Sequence, residues 1–262
     1  MEVRSWFSLY LLAGLGGAIA CIVAILAVQL AYPAGAEQPW AGFAEPDVWA
    51  AVRLSLMTST LAALLAMAVA VPASYALARW RFAGRTIVDA LLDVPIVLSP
   101  IVVGVALILV FRTSAGRWFE EHALRVVFEV PGIVAAQFIL ALALQVRVLK
   151  AAFEELDPRY EQVARFLGCT PWGAFFRVTL PMCRTSLLAA FVLGWARALG
   201  DIGATMTVAG SVRFKTETIP VAIYNNLASV RIGKALGLSL LMTFIALFVL
   251  IVVRVVAARR KT

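Results

Sequence analysis

A chain of 262 residues that is 63% hydrophobic and only 15% charged carries more apolar side chain than a soluble domain buries, so its solvent is a lipid bilayer. The net charge of +8 does not signal nucleic acid, because the basic residues lie in short loops between apolar runs and not on one solvated face. Cys21, Cys169 and Cys183 show no CxxC spacing and His122 is the lone histidine, so neither a metal nor a cofactor is expected.

About 20 apolar residues cross a hydrocarbon core of about 30 Å. Six runs meet this, some with help from neighbours: 9–31, 54–77, 87–111, 131–148, 186–208 and 235–256. The expected fold is therefore an all-α integral membrane protein of six transmembrane helices. The first run competes with a signal-peptide reading, since Ala34 to Ala36 reads "AGA", a small-residue cleavage pattern. Its length, and flanking residues that hold one Arg and one Glu, favour a retained span. After it, "PAGAEQPWAGFAEPD" has the Pro, Gly and Ala of a loop and no Lys or Arg. Between the third and fourth runs, "RWFEEHALR" reads as a short interfacial helix. Pro72, Pro95 and Pro100 fall within the second and third runs and are expected to kink them.

Lys and Arg orient the bundle. With the N-terminus inside, fourteen of them fall in inner segments and seven in outer ones, as the positive-inside rule requires. Both termini and the loop between the fourth and fifth runs are then cytoplasmic. Asp89 and Asp93 lie in the inner half of the third run. They serve either as partners of Arg79, Arg81 or Arg85 or as the proton relay of an ion-coupled carrier, and pairing is the reading we favour.

The loop between the fourth and fifth runs, "LDPRYEQVARFLGCTPWGAFFRVTLP", is the most polar long stretch of the chain. Asp157 before Pro158 is a helix start, Gly168 suits the left-handed residue that ends it, and Thr170 before Pro171 starts a second short helix. Tyr160, Val163, Ala164 and Leu167 recur at i, i+3, i+4 and i+7, with Arg159, Glu161, Gln162 and Arg165 opposite. Trp172, Phe175 and Phe176 give the second helix an apolar face. Helices this short need something to pack on. Either the insert covers the protein's own membrane ends, or it is a hinged knob that docks into a soluble partner.

This stretch resembles the coupling motif of binding-protein-dependent ABC importer permeases, E-A-A-x3-G-x9-I-x-L-P. Gly168 stands at Gly, Val178 at Ile, and Leu180 and Pro181 complete the pattern, with Gln162, Val163 and Ala164 at E-A-A and Glu161 adjacent. The resemblance covers about residues 50–256 and implies a type I importer fold. It divides the chain into 1–48, an N-terminal span and external loop; 49–256, the permease domain with its coupling element at 151–181; and a basic tail at 257–262. It implies that Asp157, Tyr160, Glu161, Gln162, Val163, Ala164, Leu167, Gly168, Leu180 and Pro181 meet a partner ATPase. The implied partners are an ATPase dimer that binds ATP and magnesium, a secreted or lipid-anchored oxyanion-binding protein and a second permease copy, all at the cell membrane. The chain has no G-x-x-x-x-G-K-[ST] loop, so no catalytic residue is expected in it.

The segment from Gly194 to Tyr224, "GWARALGDIGATMTVAGSVRFKTETIPVAIY", closely resembles that of molybdate and tungstate permeases, with sulfate permeases next. That resemblance implies transport of a tetrahedral oxyanion. Arg197, Gly200, Asp201, Gly203, Thr205 and Thr207 supply the cation, hydroxyl and small-residue chemistry of an anion pathway. The competing reading is packing: Arg197 and Asp201 at i and i+4 neutralise each other, and the glycines only let helices approach.

Overall fold

The computed structural model of the chain describes residues 45–259, with side chains as far as residue 251, and scattered positions between 19 and 27. Most of the first expected span, 9–31, and most of the loop after it therefore lie outside the described residues, as does the end of the basic tail.

Every described element is helical: α1 Pro46–Arg79, α2 Arg85–Val97, α3 Pro100–Arg112, α4 Ser114–His122, α5 Val130–Glu155, α6 Arg159–Phe166, α7 Pro171–Met182, α8 Arg184–Leu199, α9 Gly203–Ala209, α10 Ile219–Ala228 and α11 Ile232–Arg259. Among the described residues α1, α5 and the stretch Ile232–Ile251 of α11 are long and apolar enough to cross a bilayer as single helices. Two bent pairs, α2 with α3 and α7 with α8, bring the number of crossings to as many as five if each pair counts as one.

At the centre α1 packs along α5, and α8 lies on both. The sequence of α1 explains the close approach: Ala51, Ser55, Ser59, Ala62, Ala66, Ala70 and Ser74 recur every three or four residues and are all buried. In lipid, helices gain little from the hydrophobic effect and associate through such small-residue seams. The end of the bundle next to the polar insert is sealed by Leu77, Leu149, Phe153 and Phe175, and the opposite end by Val48, Val52, Ile219 and Leu238.

The third expected span, 87–111, is not one helix. Leu98 and Ser99 are extended (ψ 145° and 137°), and α2 and α3 diverge by 116°. Pro100 clashes with a helical residue before it and opens α3 at its first turn, where its missing N–H costs nothing. By contrast α1 continues through Pro72 and α2 through Pro95. Of the three expected kinks, the chain breaks only at Pro100. The fifth expected span, 186–208, is likewise interrupted, by the non-helical turn Gly200–Ile202 between α8 and α9. The "RWFEEHALR" segment contributes to α4, and Glu120 holds the chain after it by accepting bonds from the backbone N–H groups of Val126 (3.0 Å) and Val127 (2.9 Å).

Candidate functional site

The polar insert between α5 and α8 forms a hinged pair of short helices. Asp157 Oδ1 accepts a bond from the Arg159 N–H (2.9 Å), and α6 begins at Arg159. It ends at Gly168, which has φ +91°; the Gly168 N–H bonds to the Arg165 carbonyl and the Cys169 N–H to the Ala164 carbonyl, both at 3.0 Å. This double closure needs a left-handed residue, which glycine adopts without strain. Thr170 Oγ1 then caps α7 by accepting from the Gly173 N–H (3.1 Å). A π turn over Phe175–Thr179 precedes Pro181, whose absent N–H breaks the regular ladder at that point.

Of the two placements open for the apolar stripe of α6, most of it faces away from the protein. Tyr160, Val163 and Leu167 are exposed, as is Phe166 at 90%, whereas Ala164 is buried and the Glu161 side chain is only 13% exposed. Trp172 and Phe176 of α7 are also exposed, while Phe175 is buried. The knob thus shows Tyr160, Val163, Phe166 and Leu167 on its outer surface beside exposed Arg159, Gln162 and Arg165, and it is fastened from beneath by a carboxylate.

That fastening draws on α1. Glu161 Oε2 accepts from the Tyr75 hydroxyl (2.8 Å); Glu161 Oε1 accepts from Arg79 Nε (3.1 Å) and from the Thr179 hydroxyl (2.9 Å). Arg79 Nη1 also donates to the Leu156 carbonyl (3.0 Å). The Tyr75 ring sits edge-on to Phe153 and Phe175, with centroids 5.8 and 4.6 Å away. Tyr75 and Thr179 were not candidates from the sequence, and Arg79 was one only as a partner for Asp89 or Asp93. The one sequence signal for this cluster is the i, i+4 spacing of Tyr75 and Arg79 at the end of an apolar run.

Asp89 and Asp93 are paired, but not with the loop arginines. Lys150 Nζ lies 2.5 Å from Asp89 Oδ2, Arg147 Nη1 lies 2.5 Å from Asp93 Oδ2, and Arg85 Nη2 lies 2.8 Å from Glu154 Oε1. Positions 85, 89 and 93 share one helix face and meet positions 154, 150 and 147 of α5 in reverse order, because α2 runs antiparallel to α5. Arg79, one of the partners expected for the aspartates, is already committed to Glu161.

The residues nominated for an anion pathway gather where α8, α9 and α3 meet. Asp201 is wholly buried and lies beyond the end of α8, so it does not share a continuous helix with Arg197. Its Oδ2 accepts from the Thr205 N–H and the Thr205 hydroxyl, both at 2.8 Å, and closes the first turn of α9. Its Oδ1 stands 3.9 Å from Arg197 Nη1, and the Arg197 side chain is 35% exposed. Thr207 Oγ1 bonds back to the Gly203 carbonyl (2.7 Å). A Cβ on Gly203 would stand 3.1 Å from Pro100 Cβ, and one on Gly104 would stand 2.8 Å from Thr207 Cβ. Both glycines therefore serve close packing of α9 on α3, and Thr205, being buried, lines no open passage in this conformation.

Residues 62–262 match the binding-protein-dependent transport system inner membrane component. The chain belongs to that family. The permease is 32% identical over 251 residues to the molybdate/tungstate transport system permease protein WtpB of Thermococcus kodakarensis, covering 95% of this chain and 96% of the relative. It is 30% identical over 238 residues to the sulfate transport system permease protein CysW of Synechocystis sp., covering 90% of this chain and 86% of the relative. It is 37% identical over 180 residues to the molybdenum transport system permease protein ModB of Escherichia coli, covering 67% of this chain and 78% of the relative. A solved bacterial alginate ABC transporter, in complex with an alginate pentasaccharide-bound periplasmic protein, contains a chain of the same fold: TM-score 0.76 at 17% identity, covering 99% of this permease and 96% of that chain. This permease is thus the membrane component of an ABC importer.

Proposed function

We propose that this permease carries a tetrahedral oxyanion, molybdate or tungstate, and that partner ATPase subunits drive it through the α6–α7 knob. The observation that carries the coupling role is the exposed apolar surface of that knob, with Tyr160, Val163, Phe166 and Leu167 outermost. Exposed apolar side chains interleaved with Arg159, Gln162 and Arg165 on a short capped element are suited to a protein partner. In this reading the knob, the basic tail at 257–262 and both termini are cytoplasmic, two permease copies pair in the membrane, and a secreted or lipid-anchored receptor delivers the anion from outside. ATP and magnesium bind the partner. Rocking of the bundle between outward and inward states moves the anion.

Two observations support the metal oxyanion: the likeness of Gly194 to Tyr224 to molybdate and tungstate permeases, and the WtpB relationship over nearly the whole of both chains. Sulfate is the second reading, because CysW also aligns over most of its length. The ion-coupled carrier loses ground, since Asp89 and Asp93 are each held by a cation of α5.

The permease co-expressed with its ATPase and receptor in proteoliposomes should accumulate molybdate or tungstate only when ATP is supplied, read by mass spectrometry of the lumen. Accumulation without ATP, or of sulfate in preference to both metal oxyanions, overturns the assignment. Gly168→Val tests the knob separately. A Cβ there meets nothing within 4 Å, so the cost is confined to a left-handed backbone, about 1–2 kcal/mol. The variant should fold and melt close to the unaltered protein, yet retain less ATPase on purification because its second short helix is turned away. Unchanged ATPase retention and unchanged uptake would remove the hinge from the mechanism.

A further inference from the structure

The insert is covalently continuous with α5 and α8, and the chain turns at both junctions. Leu156 leaves α5 in an extended conformation (φ −75°, ψ 121°), and α7 meets α8 at Cys183 with a bend of 73°. Besides the packing of Phe175 on Phe153 of α5 (ring centroids 6.4 Å apart), the insert has a polar attachment to a helix distant in sequence. Glu161 receives bonds from Tyr75 and Arg79, 86 and 82 residues away, and Arg79 also holds the Leu156 carbonyl at the first hinge. Charge-assisted bonds in a partly buried setting are stronger and more directional than the apolar contacts around them.

The helix so gripped, α1, has 34 residues and a length of roughly 50 Å. It is bonded to a different element at each level. Gln145 of α5 donates to the Ala63 carbonyl (3.2 Å), Trp195 of α8 to Thr60 Oγ1 (3.2 Å), and the Ile219 N–H of α10 to Ser55 Oγ (2.8 Å). At its outer end Asp47 and the capping Glu45 hold Lys234 of α11.

We propose that Tyr75 and Arg79 are positioning residues of the transport cycle: through their clasp on Glu161, displacement of the knob is passed to α1, which carries it to the outer face. The inference rests on the coupling role proposed above. A force on the knob reaches α1 through this polar clasp as well as through the packing of Phe175 on α5, and α1 passes it to the elements bonded along its length.

The assembled transporter, with ATPase and receptor in proteoliposomes, provides the test, read as anion imported per ATP hydrolysed. Arg79→Gln should lower that ratio by about fivefold or more, and Tyr75→Phe, which keeps the ring packing, by less. ATPase should remain bound in both, since neither residue lies on the exposed side of the knob. Exchanging the charges, Arg79→Glu with Glu161→Arg, should restore part of the ratio, as a pair acting through this contact requires. If Arg79→Gln fails to fold, Tyr75→Phe alone decides. An unchanged ratio in the folded variants, with ATPase bound, overturns the clasp and leaves the coupling knob standing. Absence of ATPase from the unaltered complex overturns both.

Discussion

Lys234→Met is expected to lower the unfolding free energy of the detergent-solubilised permease by about 3 kcal/mol. Lys234 is only 7% exposed, in the first turn of α11, with Nζ 2.5 Å from Glu45 Oε2 and 2.9 Å from Asp47 Oδ2. The Asp47 side chain is 12% exposed, and its Oδ1 has no hydrogen-bond partner. Removing the ammonium therefore strands a nearly buried carboxylate that already lacks one bond. Glu45, half exposed, turns to water and adds little, which keeps the effect near the lower end for buried pairs. The penalty belongs to the stranded charge and not to the lost attraction, so Lys234→Met combined with Asp47→Leu should recover most of it. Thermal unfolding followed by tryptophan fluorescence gives the order: unaltered, then the double variant, then Lys234→Met. A double variant no better than the single one would mean that the three-residue cluster stabilises this end of the bundle by attraction.

How much of this molecule its sequence disclosed depended on the range of the signal. The knob was legible because its instructions are local: Asp157–Pro158, Gly168 and Thr170–Pro171 each act within four residues, and each appears as a start, a left-handed stop or a cap. Its orientation was not legible. Apolar periodicity marks a stripe on α6 but not whether that stripe faces the protein or a partner, and Tyr160, Val163 and Leu167 point away. The prolines divide in the same manner. Pro72, Pro95 and Pro100 look alike in an apolar run, yet only Pro100 follows two extended residues at a break, because a helix packed along its neighbours can absorb one missing bond. Partners 50 or more residues apart, such as Asp93 with Arg147 or Glu161 with Tyr75, follow from which helices pack. No local pattern encodes that.

Asp201→Ala should cost about 3 kcal/mol of stability and most of the uptake, while Arg197→Leu, which leaves Asp201 its two bonds from Thr205, should cost less. Viewed as an i, i+4 pair the two residues look equivalent, and the structure separates them. Asp201 is fully buried, and one of its oxygens receives two bonds of 2.8 Å from Thr205, which close the first turn of α9. That helix has seven residues and is wedged against α3 through Gly203 and Gly104, so it cannot hold its position uncapped. Asp201→Asn retains an accepting oxygen for the Thr205 N–H and should lose about 1 kcal/mol. Arg197 lies 3.9 Å from the other Asp201 oxygen with a third of its side chain exposed, too far for a hydrogen bond and too open for a large penalty. Its charge is thus only partly offset and stays available to an anion in a state where the α8–α9 turn opens. Melting temperature and anion uptake measured on the same preparations distinguish the roles. Arg197→Leu with normal melting and lost uptake places the guanidinium in the pathway. Normal melting with normal uptake confines it to pairing and leaves Asp201 as the residue that holds this junction together.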